Sequence, residues 1–301
     1  MGISISIVFL NYNRLNETRI TVEKLLGCRE EFDGIEIIAV DNGSTDGTGE
    51  YLSGLGDSIR AVLLDINHGI DGYNRGFEIA RGDVIIVLDD DSHVEPDTIK
   101  RVEQLFSEQQ TIGIVAFKVV DSSGKRFNTW HIPSEDVFQD SFAFVGCGFA
   151  IRKDLFRKIG FYPGEFFIYH NEIYVAIKTK LSGYRIVYDP SCIVVHRTAV
   201  LPRDPSRRIY FTLKNSLNLI WMYYPFFTAL YMTLSRVIIS YAHALVHLRW
   251  GVAMKALLDF ISSKPERIPL KKDKRVFLKP FFYQNSIFHR ILIELKKSHG
   301  I

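Results

Sequence analysis

Three adjacent carboxylates, Asp89-Asp90-Asp91, close the apolar run Val84-Ile85-Ile86-Val87-Leu88. Neighbouring carboxylates repel one another, so such a cluster is unfavourable until a cation joins it. Their hard oxygens suit Mg2+ or Mn2+, ions that commonly also hold the phosphates of a substrate. Taken alone, an acidic triplet after a strand is as readily a solvated turn, and the rest of the chain has to discriminate. Two further groups have suitable chemistry. Glu172 stands in Phe166-Phe167-Ile168-Tyr169-His170-Asn171-Glu172, at the start of a helical pattern. His196 follows the apolar run Cys192 to Val195. A lone Glu in a first helical turn ordinarily serves the helix dipole, and a lone His after a strand is ordinarily structural.

The elements that must position these groups alternate along the chain. Ile3–Leu10 reads as a strand, with Asn16 or Thr18 capping a helix to about Cys28. Ile35–Val40 is a second strand, running into the turn-rich Asp41-Asn42-Gly43-Ser44-Thr45-Asp46-Gly47. A short helix over 48–55 and a strand over 59–64 follow. The loop Asn67 to Gly76 leads into a helix to about Ala80. After the central strand, Pro96 suits the first turn of a helix over 96–107. Further strands are expected over 112–120, 184–188 and 192–195, with an irregular, mobile loop over 125–139 and a helix to about Ser182. The glycines of Gly146-Cys147-Gly148, within 142–151, would let the backbone approach a ligand or mark a β-bulge. Strands alternating with helices at this spacing predict an α/β fold with a mostly parallel sheet covered on both faces. Ligands of such sheets bind beyond the carboxyl ends of the strands, where these Asn-, Asp- and Gly-rich loops fall. Neither a P-loop nor a Gly-x-Gly-x-x-Gly turn follows the first strand, which argues against ordinary ATPase and dinucleotide-binding folds.

A hydrophobic content of 47% and a charged content of 24% belong to a folded chain rather than a disordered one. The net charge of +3 is unevenly spread. Residues 261–301 carry ten Lys or Arg against three Asp or Glu, a net +7, which leaves −4 on the first 260. An acidic body with a basic tail points to an anionic partner for the tail. Cys28, Cys147 and Cys192 show no zinc or disulfide spacing and fit a reducing compartment. The apolar stretch Ser4–Leu10 is too short for a secretory leader and lacks a basic flank.

In order and spacing, the set resembles family-2 glycosyltransferases of the GT-A type. The pattern is that of bacterial rhamnosyltransferase-like enzymes of surface polysaccharide biosynthesis in the cell envelope. The resembling segments are Asn11-Tyr12-Asn13, Asp41-Asn42-Gly43-Ser44, the Asn67 to Gly76 loop, Asp89-Asp90-Asp91, Gly146-Cys147-Gly148, Phe166 to Glu172, Ser182 to Ile186 and Val194-Val195-His196. They cover about residues 3–200. The resemblance implies a GT-A, Rossmann-like mixed sheet flanked by helices. It implies that Leu10, Asn11, Asn13 and Asp41 hold the nucleotide base. Gly72 and Asn74 would face the ribose and diphosphate, with Asp89 and Asp90. Asp91 and His196 would bind a divalent cation, Mn2+ or Mg2+; a neutral imidazole beside a carboxylate favours Mn2+. Gly146, Cys147, His170 and Asn171 would lie on the acceptor side. The sequence departs from the family at the helix start, where Glu-Asp is usual and Asn171-Glu172 stands here. Glu172 then takes the place of the general base, with His170 the next candidate. The implied reaction is an inverting transfer from a nucleotide-diphosphate sugar, UDP- or dTDP-linked, to a hydroxyl of a glycan or polyprenyl-linked acceptor. Trp130 is a candidate for stacking on a sugar ring, with packing the equal alternative.

Residues 1–205 are assigned to the catalytic domain and 206–301 to a helical extension. Asn215–Ser235 is 21 residues without a charge, long enough for a membrane span. Its Pro225 and its cluster Trp221, Tyr223, Tyr224, Phe226 and Phe227 suit an interface better. The expectation is of helices lying on the cytoplasmic face of the cell membrane, peripheral or monotopic, with the basic tail on anionic lipid. A soluble helical pair, or a dimer interface making a homo-oligomer, is the competing reading. No nucleic-acid partner is expected, since nothing aromatic or groove-like repeats in the tail. A nucleotidyltransferase would carry a Gly-rich basic loop after the first strand, which Asn11-Tyr12-Asn13-Arg14 is not. A non-catalytic glycan- or nucleotide-sugar-binding scaffold draws support only from Asn171 in place of an acid.

Overall fold

A computed structural model describes residues 2–32, 34–197 and 204–298. The apolar runs become strands because both faces of each are covered. In β1 (Ile5–Asn11) and β4 (Val84–Asp89), Ile7, Val8, Phe9 and Val84 to Leu88 are fully buried. Between them run α1 (Leu15–Glu31), β2 (Glu36–Asp41), α2 (Thr48–Ser53), β3 (Arg60–Leu63) and α3 (Gly72–Ile79). After β4 come β5 (Ser92–Val94), α4 (Pro96–Glu108), β6 (Ile112–Val120), β7 (Gln139–Asp140), β8 (Gly148–Arg152), α5 (Lys153–Ile159), α6 (Asn171–Leu181) and β9 (Arg185–His196). The strands form one mixed sheet in the order β3-β2-β1-β4-β8-β6-β9-β5, with β7 also paired to β9.

Register brings the polar residues to one edge. Parallel pairing sets Leu10 opposite Asp89 and Asn11 opposite Asp41. Antiparallel β8 sets Gly148 opposite Leu88, so Cys147 also leaves the sheet at that edge. Antiparallel β5 and β9 set Ser92 opposite His196, one residue from Asp91. The carboxyl ends of β1, β2 and β4 and the end of β9 thus converge, as a doubly wound sheet requires of a binding edge.

Several local expectations are corrected. Neither Asn16 nor Thr18 caps α1; the Asp46 carboxylate, from the loop after β2, accepts the Leu15 N–H at 2.9 Å. The helix expected from Phe166 begins at Asn171. The two strands expected over 184–188 and 192–195 are one, β9. It is interrupted by a bulge where pairing with β6 jumps from Phe117–Asp189 to Lys118–Ile193. Pro190, which has no N–H to give a ladder, sits in that bulge. The 125–139 loop is irregular but tied down, because Asp136 receives Lys118 at 2.6 Å, Arg126 at 3.0 Å and the Tyr188 hydroxyl at 2.9 Å.

The chain folds as two units, residues 1–167 with 171–199, and 168–170 with 200–301. The second is helical: α7 (Pro205–Tyr223), α8 (Phe226–Val246), α9 (Trp250–Ser263), α10 (Lys279–Asn285) and α11 (Ile287–Ser298). The uncharged run 215–235 is not one helix. Tyr224 is extended, Pro225 cannot continue the ladder, and the Trp221 indole N–H bonds Thr233 at 2.8 Å across the break. Among the described residues, the helix long and apolar enough to cross a membrane is instead Phe226–Val246, little of which is buried. Phe227, Leu230, Leu234, Ile238 and Leu245 lie exposed at helical spacing along α8, and Trp250, Met254, Leu258 and Ile261 along α9.

Candidate active site

The acidic turn between β4 and β5 is held from three sides. Ser92 Oγ accepts the Asp89 N–H at 2.8 Å and lies 3.0 Å from the Cys147 carbonyl, linking the turn to the start of β8. From α1, Thr21 Oγ1 donates to the Asp90 carbonyl at 2.6 Å. From the end of β9, the Arg197 N–H donates to the Asp91 carbonyl at 2.8 Å. The Arg197 guanidinium is itself fixed by Glu17 at 3.1 Å and by His93 Nδ1 at 2.8 Å. Burial, and then the Arg197 charge, hold His93 below its ordinary pKa, which leaves Nδ1 free to accept.

Within that frame the side chains converge. His196 Nε2 is 3.1 Å from Asp91 Oδ1. One nitrogen of Arg14, Nη1, is 2.7 Å from Asp91 Oδ2 and 2.9 Å from Asp90 Oδ1. The Tyr73 hydroxyl is 2.8 Å from Asp89 Oδ1 and 2.7 Å from the Leu88 carbonyl, sharing one proton between them. Single donor atoms of Asp89, Cys147 and His196 lie within 4.8 Å of one another. Burial, and then the Asp91 charge, raise the Asp89 carboxyl above its ordinary range. Burial likewise pushes Asp90 up to about 7, against the pull of Arg14. Burial opposes a charge on His196, but its hydrogen bond to Asp91 and the nearby carboxylates outweigh that and raise it.

This donor set fits a divalent cation. It offers hard carboxylate oxygens with one borderline imidazole nitrogen, packed where burial alone disfavours the negative charges. The Cys147 thiol is a poor ligand here, because burial and the neighbouring carboxylates keep it protonated.

Glu172 stands in the first turn of α6, half-buried. Its carboxylate lies against the backbone of Gly146: a Cβ there would come within 2.7 Å of Glu172 Oε1. Gly148 is likewise required by packing, since a Cβ would meet Val194 at 2.2 Å. Loss of water around Glu172 pushes its carboxyl up to about 7, the range in which a general base works near neutral pH.

A family model described as glycosyl transferase family 2 matches residues 6–177, more than half of the chain. The chain belongs to that family. Its fold is shared with solved GT-A structures. The Pyrobaculum calidifontis mannosyltransferase PcManGT, in complex with GDP-Man and Mn2+, matches at 17% identity with a TM-score of 0.58, over 98% of this chain and 87% of that one. S. aureus TarS 1-349, in complex with UDP-GlcNAc, matches at 16% identity with a TM-score of 0.60, over 99% and 92%. An undecaprenyl-phosphate 4-deoxy-4-formamido-L-arabinose transferase of Pectobacterium carotovorum is 35% identical over 126 residues, 40% of this chain and 38% of that protein. A glucosyl-dolichyl phosphate glucuronosyltransferase of Haloferax volcanii is 25% identical over 227 residues, 65% of this chain and 69% of that one. The chain thus spans about two fifths of the arabinose transferase's length.

In this family-2 chain, the remaining residues singled out by sequence fall into distinct places. Leu10 and Gly72 meet at the edge of the sheet, where a Cβ on Gly72 would strike Leu10 and the Asn42 amide. Asn11 is buried, donating to the Val40 carbonyl at 3.1 Å and accepting Thr18 Oγ1 at 2.9 Å. Asn13, at positive φ, accepts the Thr45 N–H at 2.7 Å and joins the loops after β1 and β2. Asn74 bonds Asp71 at 2.8 Å and both backbone groups of Tyr162, at 3.0 and 3.1 Å, so its amide is engaged by the fold. Asp41 Oδ2 accepts the Ser44 N–H at 3.1 Å, while its buried Oδ1 has no hydrogen-bond partner among the described residues. Asn171 is buried at the head of α6. His170 belongs to the helical unit, with Nε2 3.0 Å from Ser216 Oγ. Trp130 packs on His131 and Phe142.

Arg14, Tyr73 and Arg197 are site residues that sequence reasoning passed over. Arg14 and Arg197 each directly follow a motif, Asn11-Tyr12-Asn13 and Val194-Val195-His196, and that adjacency was the available signal. Tyr73 had none, because a Tyr in an amphipathic helix reads as core.

Proposed function

We propose that this chain transfers a glycosyl group from a nucleotide-diphosphate sugar, UDP- or dTDP-linked, to a hydroxyl of a glycan or polyprenyl-linked acceptor, by one displacement with inversion. The observation that carries this reading is the approach of His196 to Asp91 at 3.1 Å, beside Asp89, although the two stand far apart in the chain. A divalent cation, Mn2+ or Mg2+, held by Asp91 and His196 would neutralise charge on the departing diphosphate. The mannosyltransferase neighbour was solved with GDP-Man and Mn2+, and the TarS neighbour with UDP-GlcNAc, which agrees with that donor class.

This chain's own residues would do the rest. Asp41 Oδ1, buried without a partner among the described residues, is an acceptor for a base N–H. The loop that Asn74 shapes, with Gly72, Leu10 and Asn13, would border the ribose and diphosphate. Tyr73 and Ser92 fix Asp89 so that it does not swing with each turnover. Glu172 takes the acceptor's proton through Oε as the new bond forms, and Gly146 leaves room for that carboxylate. Cys147 and Asn171 would line the acceptor side.

The acceptor class is supported by relatives named for undecaprenyl-phosphate and dolichyl-phosphate substrates. Attachment to the cytoplasmic face of the membrane is supported by the exposed apolar residues of α8 and α9 and by the basic segment after them. Calorimetry of the purified chain with MnCl2 and a panel of UDP-, dTDP- and GDP-sugars tests the reading, with mass spectrometry for transferred sugar. Failure of every donor to bind overturns it.

A further inference from the structure

Two arginines reach the acidic turn, and they are held differently. The Arg197 side chain is 13% exposed and its guanidinium is distributed over Glu17, Thr21 and His93. It is part of the frame. Arg14 is 31% exposed, and its Nη1 alone bridges Asp90 and Asp91. Arg14 stands at the turn between β1 and α1, at the sheet edge where a nucleotide would lie. It occupies Asp91 Oδ2, on the carboxylate whose other oxygen faces His196.

We propose that Arg14 is an exchangeable counter-ion. It neutralises Asp90 and Asp91 in the resting protein, and a nucleoside diphosphate draws its guanidinium away, so that nucleotide and divalent cation bind with positive coupling. The inference rests on the donor reading above. A divalent cation on Asp91 and a guanidinium on the same carboxylate repel, so one must leave for the other to bind well. A diphosphate gives the displaced guanidinium a new bidentate anion within reach of its long side chain. Because coupling is reciprocal, whatever Arg14 contributes to nucleotide dependence of metal binding appears equally as metal dependence of nucleotide binding. An arginine that merely stabilises the turn would carry no such coupling.

The test is a titration of the whole chain with MnCl2, free Mn2+ being read by electron paramagnetic resonance, with and without UDP. UDP supplies ligands of its own in every protein, so the readout is the difference between wild type and variants. Arg14→Gln is expected to bind Mn2+ about tenfold more tightly than wild type without UDP, the change of one pK-sized electrostatic coupling. The gain in Mn2+ affinity on adding UDP is expected to shrink by about the same factor. Arg14→Met, which keeps the apolar stem, should behave as Arg14→Gln, and Arg14→Lys, which keeps the charge, should follow wild type. Either neutral variant that folds, as judged by circular dichroism, decides the matter. Unchanged or weaker Mn2+ binding without UDP in the neutral variants, or an unchanged UDP effect, overturns the proposal while leaving the donor reading intact. If neither UDP nor dTDP, nor any sugar of the donor panel, binds wild type or variants in the presence of Mn2+, the donor reading falls and this proposal with it; if only dTDP binds, the same titration with dTDP decides.

Discussion

Replacing Glu172 by Gln should separate catalysis from stability, because the same burial that tunes the carboxyl also burdens the fold. The carboxyl is carried from an ordinary 4.5 up to about 7 by loss of solvent. A raised carboxyl is more readily protonated in the folded than in the unfolded state. Its ionisation therefore costs the folded protein nothing below pH 4.5, and the cost grows as pH rises, levelling off above 7. That cost is of the order of 3 kcal/mol. Glu172→Gln removes it, so the variant should melt at a higher temperature than wild type at pH 8 and at the same temperature at pH 4. Turnover should move the other way. A positioned general base contributes about 10²- to 10⁴-fold, and Gln cannot take a proton. In wild type the working form is the carboxylate. The rate should therefore rise with pH through about 7, with about one tenth of the full rate at pH 6. The assay is sugar transfer followed by mass spectrometry across pH 5.5–9, with donor affinity by calorimetry and melting by circular dichroism. Unchanged turnover in Glu172→Gln, with donor still bound, would refute the base assignment.

The other predictions concern neighbours of the same site and the helical unit. Gly146→Ala places a Cβ 2.7 Å from Glu172 Oε1 and should lower kcat at least tenfold through displacement of the base, with donor affinity within about twofold by calorimetry. His196→Ala should weaken Mn2+ binding about 10- to 100-fold, read by paramagnetic resonance, while Mn2+ affinity unchanged from wild type would remove His196 from the cation site. Aspartate at Phe227, Leu234 and Leu248, all exposed, should lower retention on anionic vesicles in flotation assays at least a hundredfold, since each side chain contributes about 1.5 to 3 kcal/mol when buried. Retention equal to wild type would place the membrane contact elsewhere.

What the sequence determined by itself is the chemistry that is local in the chain. The alternation of strands and helices and the position of the acidic turn at a strand end each rest on residues close in sequence, and side-chain period and turn chemistry reveal them. The departure Asn171-Glu172 was legible through the family resemblance. The tertiary structure alone decided the pairings. Asp46 caps α1 because β2 lies beside β1, and Tyr73 reaches Asp89 because α3 packs beside the end of β4. Arg14 meets Asp90 and Asp91 only because β1 and β4 are neighbours in the sheet. The Asn74 amide joins α3 to Tyr162, a partner that no spacing announces. Propensity acts between residues close in sequence. The charge balance of this site is set between residues brought together by strand order, and that order comes from covering both faces of a sheet rather than from any one segment.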